Sequence, residues 1–279
     1  MSLYKRDAQM DICHDGTTKV QCSTGPLAII SGGAYDEVER LVLGIRRLGW
    51  PRVEMRLWNK WQPARYVSYL ESVLATGVLV PTIHAPALTE ELLSRTAPDD
   101  AGAVLDKCVE AARAAHSRAI VFHGWDLRKP AFDRRALVRN LQALHERYLR
   151  EPLVWCVEAL PGYGTLLPVL ERECPYLQFV VDTQWAEVEG DWRPLLERTP
   201  KVCEIHVQSH IDFDEGGRVM LGRARLGAGC DVPSIIRTMY AQGFSGEVTL
   251  EPLGVTPSGA GQIRRALEFL AELELLTKM

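Results

Sequence analysis

The chain has 279 residues, of which 47% are hydrophobic and 24% are charged. This balance is typical of a globular protein with a sizeable core and excludes a largely disordered chain. The formal net charge of −4 and the pI near 6.0 give no overall positive field, which disfavours nucleic acid and anionic membranes as partners. No apolar stretch approaches about 18 residues and the N-terminus is polar, so we expect neither a membrane span nor a signal peptide.

Short β-branched or aromatic runs alternate with longer amphipathic stretches from Lys19 onward, which is the pattern of repeated strand and helix units. The predicted strands span 19–25, 51–55, 77–86, 118–125, 153–158, 177–182, 202–207 and 246–252. The predicted helices span 34–49, 63–75, 97–116, 131–149, 164–173, 191–198, 232–243 and 261–276.

Eight strands that alternate with about eight helices, with no proline- or glycine-rich linker between them, predict a single parallel (β/α)8 TIM barrel over residues 18–279. Residues 1–17 are predicted to be a flexible arm. A doubly wound open sheet is the alternative, but the glycines of 24–33 lack the GxGxxG spacing of its phosphate-binding turn. The seven cysteines are odd in number and form no CxxC pair, which indicates reduced thiols and a cytoplasmic protein.

Four consecutive predicted strands finish on a carboxylate or an imidazole. Glu158, Asp182 and Glu251 end the fifth, sixth and eighth strands, and His206 lies near the end of the seventh. The C-terminal ends of barrel strands open on one rim, so these side chains can converge. Three adjacent buried carboxylates raise one another's pKa values, and a divalent cation removes that conflict. The donor set suits Mn²⁺ or Mg²⁺ and also accepts Co²⁺ or Zn²⁺.

Each of these residues also has a purely structural interpretation. Asp182 precedes a helical segment and could serve only as its N-cap, and His206 could be a hydrogen-bonded core histidine. Glu158 and Glu251 are harder to explain in this way, because glutamate is rarely buried unless it is paired.

Further candidates lie near the same rim. His84 and His123 end the third and fourth strands and either orient loops or contact a substrate. Trp125 and Trp185 offer flat apolar faces for sugar C–H groups, or they simply cover the barrel mouth. Arg223 precedes an LGAG segment and either binds a phosphate or belongs to a solvated loop.

Glu54 lies within the second strand. Its neighbours leave open whether its side chain faces the rim.

The order and spacing of these segments resemble the xylose isomerase-like TIM barrel superfamily, which includes sugar phosphate isomerases and epimerases and, more distantly, the apurinic-site endonucleases. The segments that carry the resemblance are LGWPRVEM (48–55), TIHAP (82–86), VFHGW (121–125), CVEALPG (156–162), VVDTQWAEVEGDW (180–192), EIHVQ (204–208), RLGAG (225–229) and VTLEP (248–252). The resemblance implies one divalent metal held by Glu158, Asp182, His206 and Glu251, with the two glutamates exchanging the substrate proton.

Three positions depart from the patterns of relatives. Trp185 stands where the tagatose-type epimerases have a histidine, and Ser209 stands where many members have an aspartate. Trp185 and Arg223 also replace two histidines of the endonucleases, which leaves too few ligands for three zinc ions. His84 and His123 do match endonuclease ligands.

The resemblance therefore predicts a metal-dependent isomerase or epimerase that acts on a small-molecule carbohydrate, a sugar, sugar phosphate or sugar acid, by proton transfer through a metal-stabilised enediolate. Epimerisation, isomerisation and dehydration all fit this chemistry. Two alternatives stay open: a non-catalytic or metal-free sugar-binding barrel, and an apurinic-site endonuclease-like metal phosphodiesterase. Related barrels often associate, so a homo-oligomer is compatible with the sequence.

Overall fold

A computed structural model describes residues 19–25, 35–47, 49–59, 61–95, 98–125, 133–213, 215, 217, 219–221, 231–253 and 260–278. The predicted arm at 1–17 and Arg223 lie outside the described residues, so both stay predictions.

Nine strands are described, and eight of them form a closed parallel barrel. The strands are β1 (Val20–Ser23), β2 (Arg52–Arg56), β3 (Leu79–His84), β4 (Ala119–His123), β5 (Val154–Glu158), β6 (Gln178–Asp182), β7 (Val202–Phe213), β8 (Val219–Leu221) and β9 (Glu247–Leu253). Parallel pairing runs in chain order from β1 to β7, and β9 closes the ring by pairing with both β7 and β1. The predicted TIM barrel is confirmed.

Helices follow the strands on the outside of the barrel. The described α-helices are α1 (Tyr35–Arg47), α2 (Tyr66–Ala75), α3 (Leu88–Arg95), α4 (Pro98–Ala115), α5 (Arg134–Arg147), α6 (Tyr163–Glu173), α7 (Thr183–Glu189), α8 (Arg193–Leu196), α9 (Val232–Ala241) and α10 (Ala260–Lys278). Two of them, α3 and α7, were not predicted as helices. Both are short segments that begin soon after a barrel strand, where residue periodicity gives little signal.

Strand β7 is longer than predicted. The sequence indicated a strand over 202–207, whereas β7 continues to Phe213. The extension pairs with β8 in an antiparallel ribbon, with Ile211 opposite Leu221 and Phe213 opposite Val219. Pairing with a partner distant in sequence, rather than the local pattern, therefore sets the end of this strand.

Local signals fix the ends of several helices. Asp133 caps α5, because its Oδ1 accepts hydrogen bonds from the backbone N–H groups of Arg135 and Ala136 at 2.9 and 3.1 Å. Beyond α1, Gly49 has a φ of 94° and its N–H donates to the carbonyl of Arg46 at 2.9 Å. This left-handed conformation is the usual helix C-terminal stop, and it turns the chain directly into β2.

The inside of the barrel has an apolar half and a polar half. Strands β4 to β6 contribute Ala119, Val121, Cys156 and Val180, which pack on one another. The N-terminal ends of the strands are closed by an ion pair in which Arg52 donates to both oxygens of Glu247 at 2.9 and 3.0 Å. The polar half is formed by side chains of β1, β2, β3, β7 and β9. The opposite end of the barrel, formed by the C-terminal ends of the strands, is here called the mouth.

Two remaining expectations concern membrane spans and the state of the cysteines. Among the described residues, no helix combines the length and apolar character that crossing a membrane would need. The cysteines of the described residues, Cys22, Cys108, Cys156, Cys174 and Cys203, are free thiols.

Candidate metal centre at the barrel mouth

The four residues predicted as metal ligands meet at the mouth. Glu158, Asp182, His206 and Glu251 are each no more than 2% exposed. Nδ1 of His206 lies 3.7 Å from Oε2 of Glu158 and 3.9 Å from Oε1 of Glu251. One ligand atom from each of Glu158, Asp182 and His206 falls within 4.8 Å of the others, which is a spacing that one cation can bridge.

Asp182 has both of the roles that the sequence allowed. Its Oδ1 accepts from the backbone N–H groups of Gln184 and Trp185 at 2.6 and 3.3 Å, so it caps α7. The cap uses one carboxylate oxygen and leaves Oδ2 for another partner. Burial and the charges of Glu158 and Glu251 raise the pKa of Asp182 well above its usual value, so these carboxylates repel one another unless a cation lies between them.

A second group at the mouth consists of His84, His123 and Glu158. Oε2 of Glu158 lies 3.2 Å from Nε2 of His84 and 2.8 Å from Nε2 of His123. Nδ1 of His84 contacts the carbonyl oxygen of Ala85 at 2.8 Å, and Nδ1 of His123 contacts the Glu90 carboxylate. The three ligand atoms of His84, His123 and Glu158 therefore converge on one place, as ligands of a cation do.

The protonation of the two histidines differs. Burial, together with the nearby charge of Arg56, lowers the pKa of His84 to about 4, so its ring is neutral. The carbonyl of Ala85 can only accept, so the single proton of His84 is on Nδ1 and its Nε2 presents a lone pair to an ionised carboxylate. Burial would also lower the pKa of His123, but the charge of Glu158 and the bonds to Glu158 and Glu90 outweigh burial and raise it to about 9.

Glu158 is the shared member of both groups. Burial alone would raise its pKa, but the charge and the hydrogen bond of His123 hold the pKa well below its usual range. Its other oxygen, Oε1, accepts from Nε1 of Trp185 at 3.0 Å. The carboxylate is thus ionised, fully buried and surrounded by nitrogen atoms.

Below the mouth, two more carboxylates face the other nitrogen of His206. Nε2 of His206 lies 3.2 Å from Oε2 of Glu54 and 3.5 Å from Oε1 of Glu204. We call Glu54 and Glu204 the lower carboxylate pair. Burial would lower the pKa of His206, but the charge of Glu54 and the contacts with both carboxylates outweigh it and raise that pKa well above its usual value.

Glu251 is less completely bonded than Glu158. Its Oε2 accepts from Nε2 of Gln208 at 3.1 Å, whereas its buried Oε1 makes no hydrogen bond with a described residue. The nearest cation is a guanidinium nitrogen of Arg56, 3.8 Å from that Oε1. Burial raises the pKa of Glu251, although the charges of His206 and Arg56 oppose the rise.

These residues fit a divalent metal ion. Three buried carboxylates, those of Glu158, Asp182 and Glu251, share the mouth with an unprotonated nitrogen of His84, and Oε1 of Glu251 has no hydrogen bond with a described residue. Buried charges of one sign are costly, and a cation held by Glu158, Asp182 and His206 would offset the repulsion between the carboxylates. Carboxylate and imidazole ligands together are compatible with Mg²⁺, Mn²⁺ and Zn²⁺.

The other predicted site residues are placed as follows. Trp185 contacts Glu158 directly through its indole N–H, as described above. Trp125 is 2% exposed and donates to the carbonyl of Pro161 at 3.1 Å, which favours the interpretation that it covers the mouth.

Sequence reasoning missed several residues of the site and left one undecided. Glu204 and Gln208 lie two residues before and after His206 on β7, so alternation along the strand places all three on one face, a signal that was available. The facing of Glu54, left open by the sequence, is inward. Glu90 reaches His123 from α3, and no local pattern could have indicated that contact.

Comparison with solved structures supports the fold assignment. A xylose isomerase-like TIM barrel protein from Mycobacterium smegmatis in complex with magnesium superposes with a TM-score of 0.65 at 11% identity, covering 94% of this chain and 98% of that one. L-ribulose 3-epimerase gives 0.64 at 15% identity, with 92% and 94% covered. An AP endonuclease of family 2 from Brucella melitensis gives 0.61 at 13% identity, with 86% and 95% covered.

No family model and no curated protein matches the sequence. The structural matches confirm the resemblance to xylose isomerase-like barrels at the level of the fold, since identities this low carry no further assignment. The protein is therefore a TIM barrel similar in fold to xylose isomerase-like proteins, with buried histidine and glutamate clusters that are candidates for a metal site.

Proposed function

We propose that the protein is a divalent-metal-dependent isomerase or epimerase of a small sugar or sugar acid. The observation that carries this proposal is the buried group of Glu158, Asp182 and His206 at the mouth, whose ligand atoms lie within 4.8 Å of one another, with Oε1 of Glu251 3.9 Å from Nδ1 of His206. Similarity in fold to L-ribulose 3-epimerase and to a magnesium-bound barrel points in the same direction. When bound, the metal would act as a Lewis acid that polarises a substrate carbonyl and offsets negative charge on the substrate oxygens.

Two glutamates are available to move a proton. Glu158 and Glu251 both approach Nδ1 of His206, at 3.7 and 3.9 Å, so both carboxylates are within reach of a substrate bound at this nitrogen. Oε1 of Glu251 has no hydrogen bond with a described residue and is free to accept the proton alpha to a carbonyl. Glu158 would deliver a proton to the substrate after taking one from the protonated His123, whose Nε2 lies 2.8 Å from Oε2 of Glu158. Glu251 would then release its proton to solvent, and His123 would regain one from solvent. Trp185 holds the Glu158 carboxylate in place through the indole N–H. The carbon that receives the proton decides between epimerisation and isomerisation.

The first test is metal content. Protein purified without chelator should contain about one divalent ion per chain by elemental analysis, or should take one up when Mn²⁺ is added. A chain that neither carries nor binds a divalent ion would refute the proposal and would support the alternative of a metal-free sugar-binding barrel.

The second test is proton exchange. In D₂O with Mn²⁺, the enzyme should incorporate deuterium next to the carbonyl in one or more members of a panel of ketoses and keto sugar acids. The variants E158Q and E251Q should abolish incorporation, because each keeps the side-chain shape and loses the base. E247Q is the matched control, since Glu247 is equally buried on β9 but closes the opposite end of the barrel, so exchange should persist.

A second candidate function is a metal phosphodiesterase like the apurinic-site endonucleases. It is favoured by one observation, the convergence of His84, His123 and Glu158, which offers a position for a further ion. Nicking of a duplex that contains an abasic site, with no deuterium incorporation into sugars, would establish this function in place of the isomerase. An intact duplex after prolonged incubation with Zn²⁺ or Mn²⁺ would exclude it.

A further inference from the structure

The lower carboxylate pair has no part in the proton transfer proposed above. Glu54 and Glu204 are 0% and 1% exposed, and they lie on β2 and β7 below the ring of residues at the mouth. Buried carboxylates are retained when they have a partner that needs them. The polar group that both of them approach is Nε2 of His206, at 3.2 and 3.5 Å.

We propose that Glu54, assisted by Glu204, is a positioning residue that holds the proton of His206 on Nε2 and so presents the Nδ1 lone pair to the metal site at the mouth. The inference rests on the proposed function in one respect, that His206 is a metal ligand.

The two nitrogens of His206 face different surroundings. Nδ1 is directed to the mouth, where it approaches Glu158 and Glu251. Nε2 is directed to the lower carboxylate pair, at 3.2 Å from Glu54 and 3.5 Å from Glu204, and these close approaches stand where Nε2 makes no well-formed hydrogen bond with a described residue. A neutral imidazole has one proton, and a carboxylate beside one nitrogen draws the proton to that nitrogen. The lower pair therefore leaves Nδ1 as the nitrogen that can coordinate an ion.

The two carboxylates contribute unequally. Oε1 of Glu204 already accepts from Nε2 of Gln21 at 2.9 Å and from the hydroxyl of Thr249, so it is satisfied without His206. Neither oxygen of Glu54 makes a well-formed hydrogen bond with a described residue, and Oε2 of Glu54 lies 3.2 Å from Nε2 of His206. We assign the dominant effect to Glu54. A carboxylate that accepts the second N–H of a metal-bound histidine also fixes the ring orientation and makes the ligating nitrogen more basic.

The competing explanation is that Glu54, Glu204 and His206 themselves bind an ion, since their ligand atoms also lie within 4.8 Å of one another. The two explanations differ in stoichiometry and in the position of the proton. An ion between the lower carboxylate pair and Nε2 would displace the proton from Nε2, and the loaded protein would then bind two ions per chain.

The decisive experiment combines metal titration with NMR. Free Mn²⁺ is measured by EPR during titration of the wild-type chain, E54Q, E54D and E247Q. We expect one ion per chain in the wild type, a dissociation constant about 10- to 100-fold higher in E54Q, a smaller rise in E54D, and a wild-type value in E247Q. In Mg²⁺-loaded protein with ¹⁵N-labelled histidine, His206 should show one proton, on Nε2; H206Q identifies its signals.

The outcomes separate the two proposals. Wild-type protein that binds no divalent ion overturns the proposed function and this inference together. Wild-type binding with an unchanged dissociation constant in E54Q overturns only the inference, and so does a His206 proton on Nδ1. Two ions per chain in the wild type, with one lost in E54Q, would make Glu54 a ligand and not a positioning residue. The NMR result on the wild type decides the matter even if E54Q does not fold.

Discussion

Gly246 directly precedes β9 and lies against the backbone of Cys203 on β7, so its replacement by alanine should destabilise the fold. A Cβ at this position would lie 2.0 Å from the carbonyl oxygen of Cys203 and 2.7 Å from a ring carbon of Phe244. Ordinary contact begins at 3.4 Å, so the first distance is short by 1.4 Å and the start of β9 must move away from β7. The Cys203 carbonyl belongs to the backbone and the Phe244 ring is buried, so neither group can move away without a wider rearrangement.

The expected magnitude follows from overpacking of a buried site, which typically costs about 1–3 kcal/mol. In a chain of this size, each kcal/mol lowers the melting temperature by about 2–4 °C, so G246A should melt about 2–12 °C below the wild type. The same substitution at Gly261 is a matched control. That glycine is exposed within α10, and apart from its chain neighbours and its own helix backbone no atom of the described residues lies within 4 Å of the added Cβ, so G261A should be neutral or more stable by up to about 1 kcal/mol.

Thermal and urea unfolding followed by circular dichroism would compare the two variants. Equal melting temperatures for G246A and the wild type would show that β7 and β9 are not held together as described. A loss of stability in G261A as large as that in G246A would show that the cost comes from alanine itself and not from the clash.

Three further predictions concern stability. D133A should lose about 1 kcal/mol in urea unfolding, because two backbone N–H groups at the start of α5 lose their acceptor, whereas D133N should retain most of it. L170A should lose about 2–5 kcal/mol, since Leu170 is on the buried face of α6 and is fully buried, and a loss below about 1 kcal/mol would contradict this packing. Removal of the proposed metal with a chelator should lower the melting temperature. An ion that binds only the folded chain, present at about 100 times its dissociation constant, raises the free energy of unfolding by about 2.7 kcal/mol. Unchanged melting with and without Mn²⁺ would argue against a site that forms only in the folded chain.

The sequence alone determined the barrel and the position of its mouth. Buried parallel strands appear as continuous apolar runs, and the alternation of such runs with amphipathic helices leaves few other architectures. Glu158, Asp182 and Glu251 were recognisable because a charge at the end of an apolar strand is unusual, and the geometry of a parallel barrel places all strand ends on one rim.

Tertiary structure decided the contacts between those residues. Which nitrogen of His206 faces the mouth depends on Glu54, more than 150 residues earlier in the chain, and the orientation of His123 depends on Glu90 in a helix that no periodicity predicted. The end of β7 likewise depends on β8. A residue pattern indicates burial and local backbone preference, because both are determined by residues close together in the sequence. The orientation of a histidine ring or a carboxylate depends on groups that come into contact only when the barrel closes.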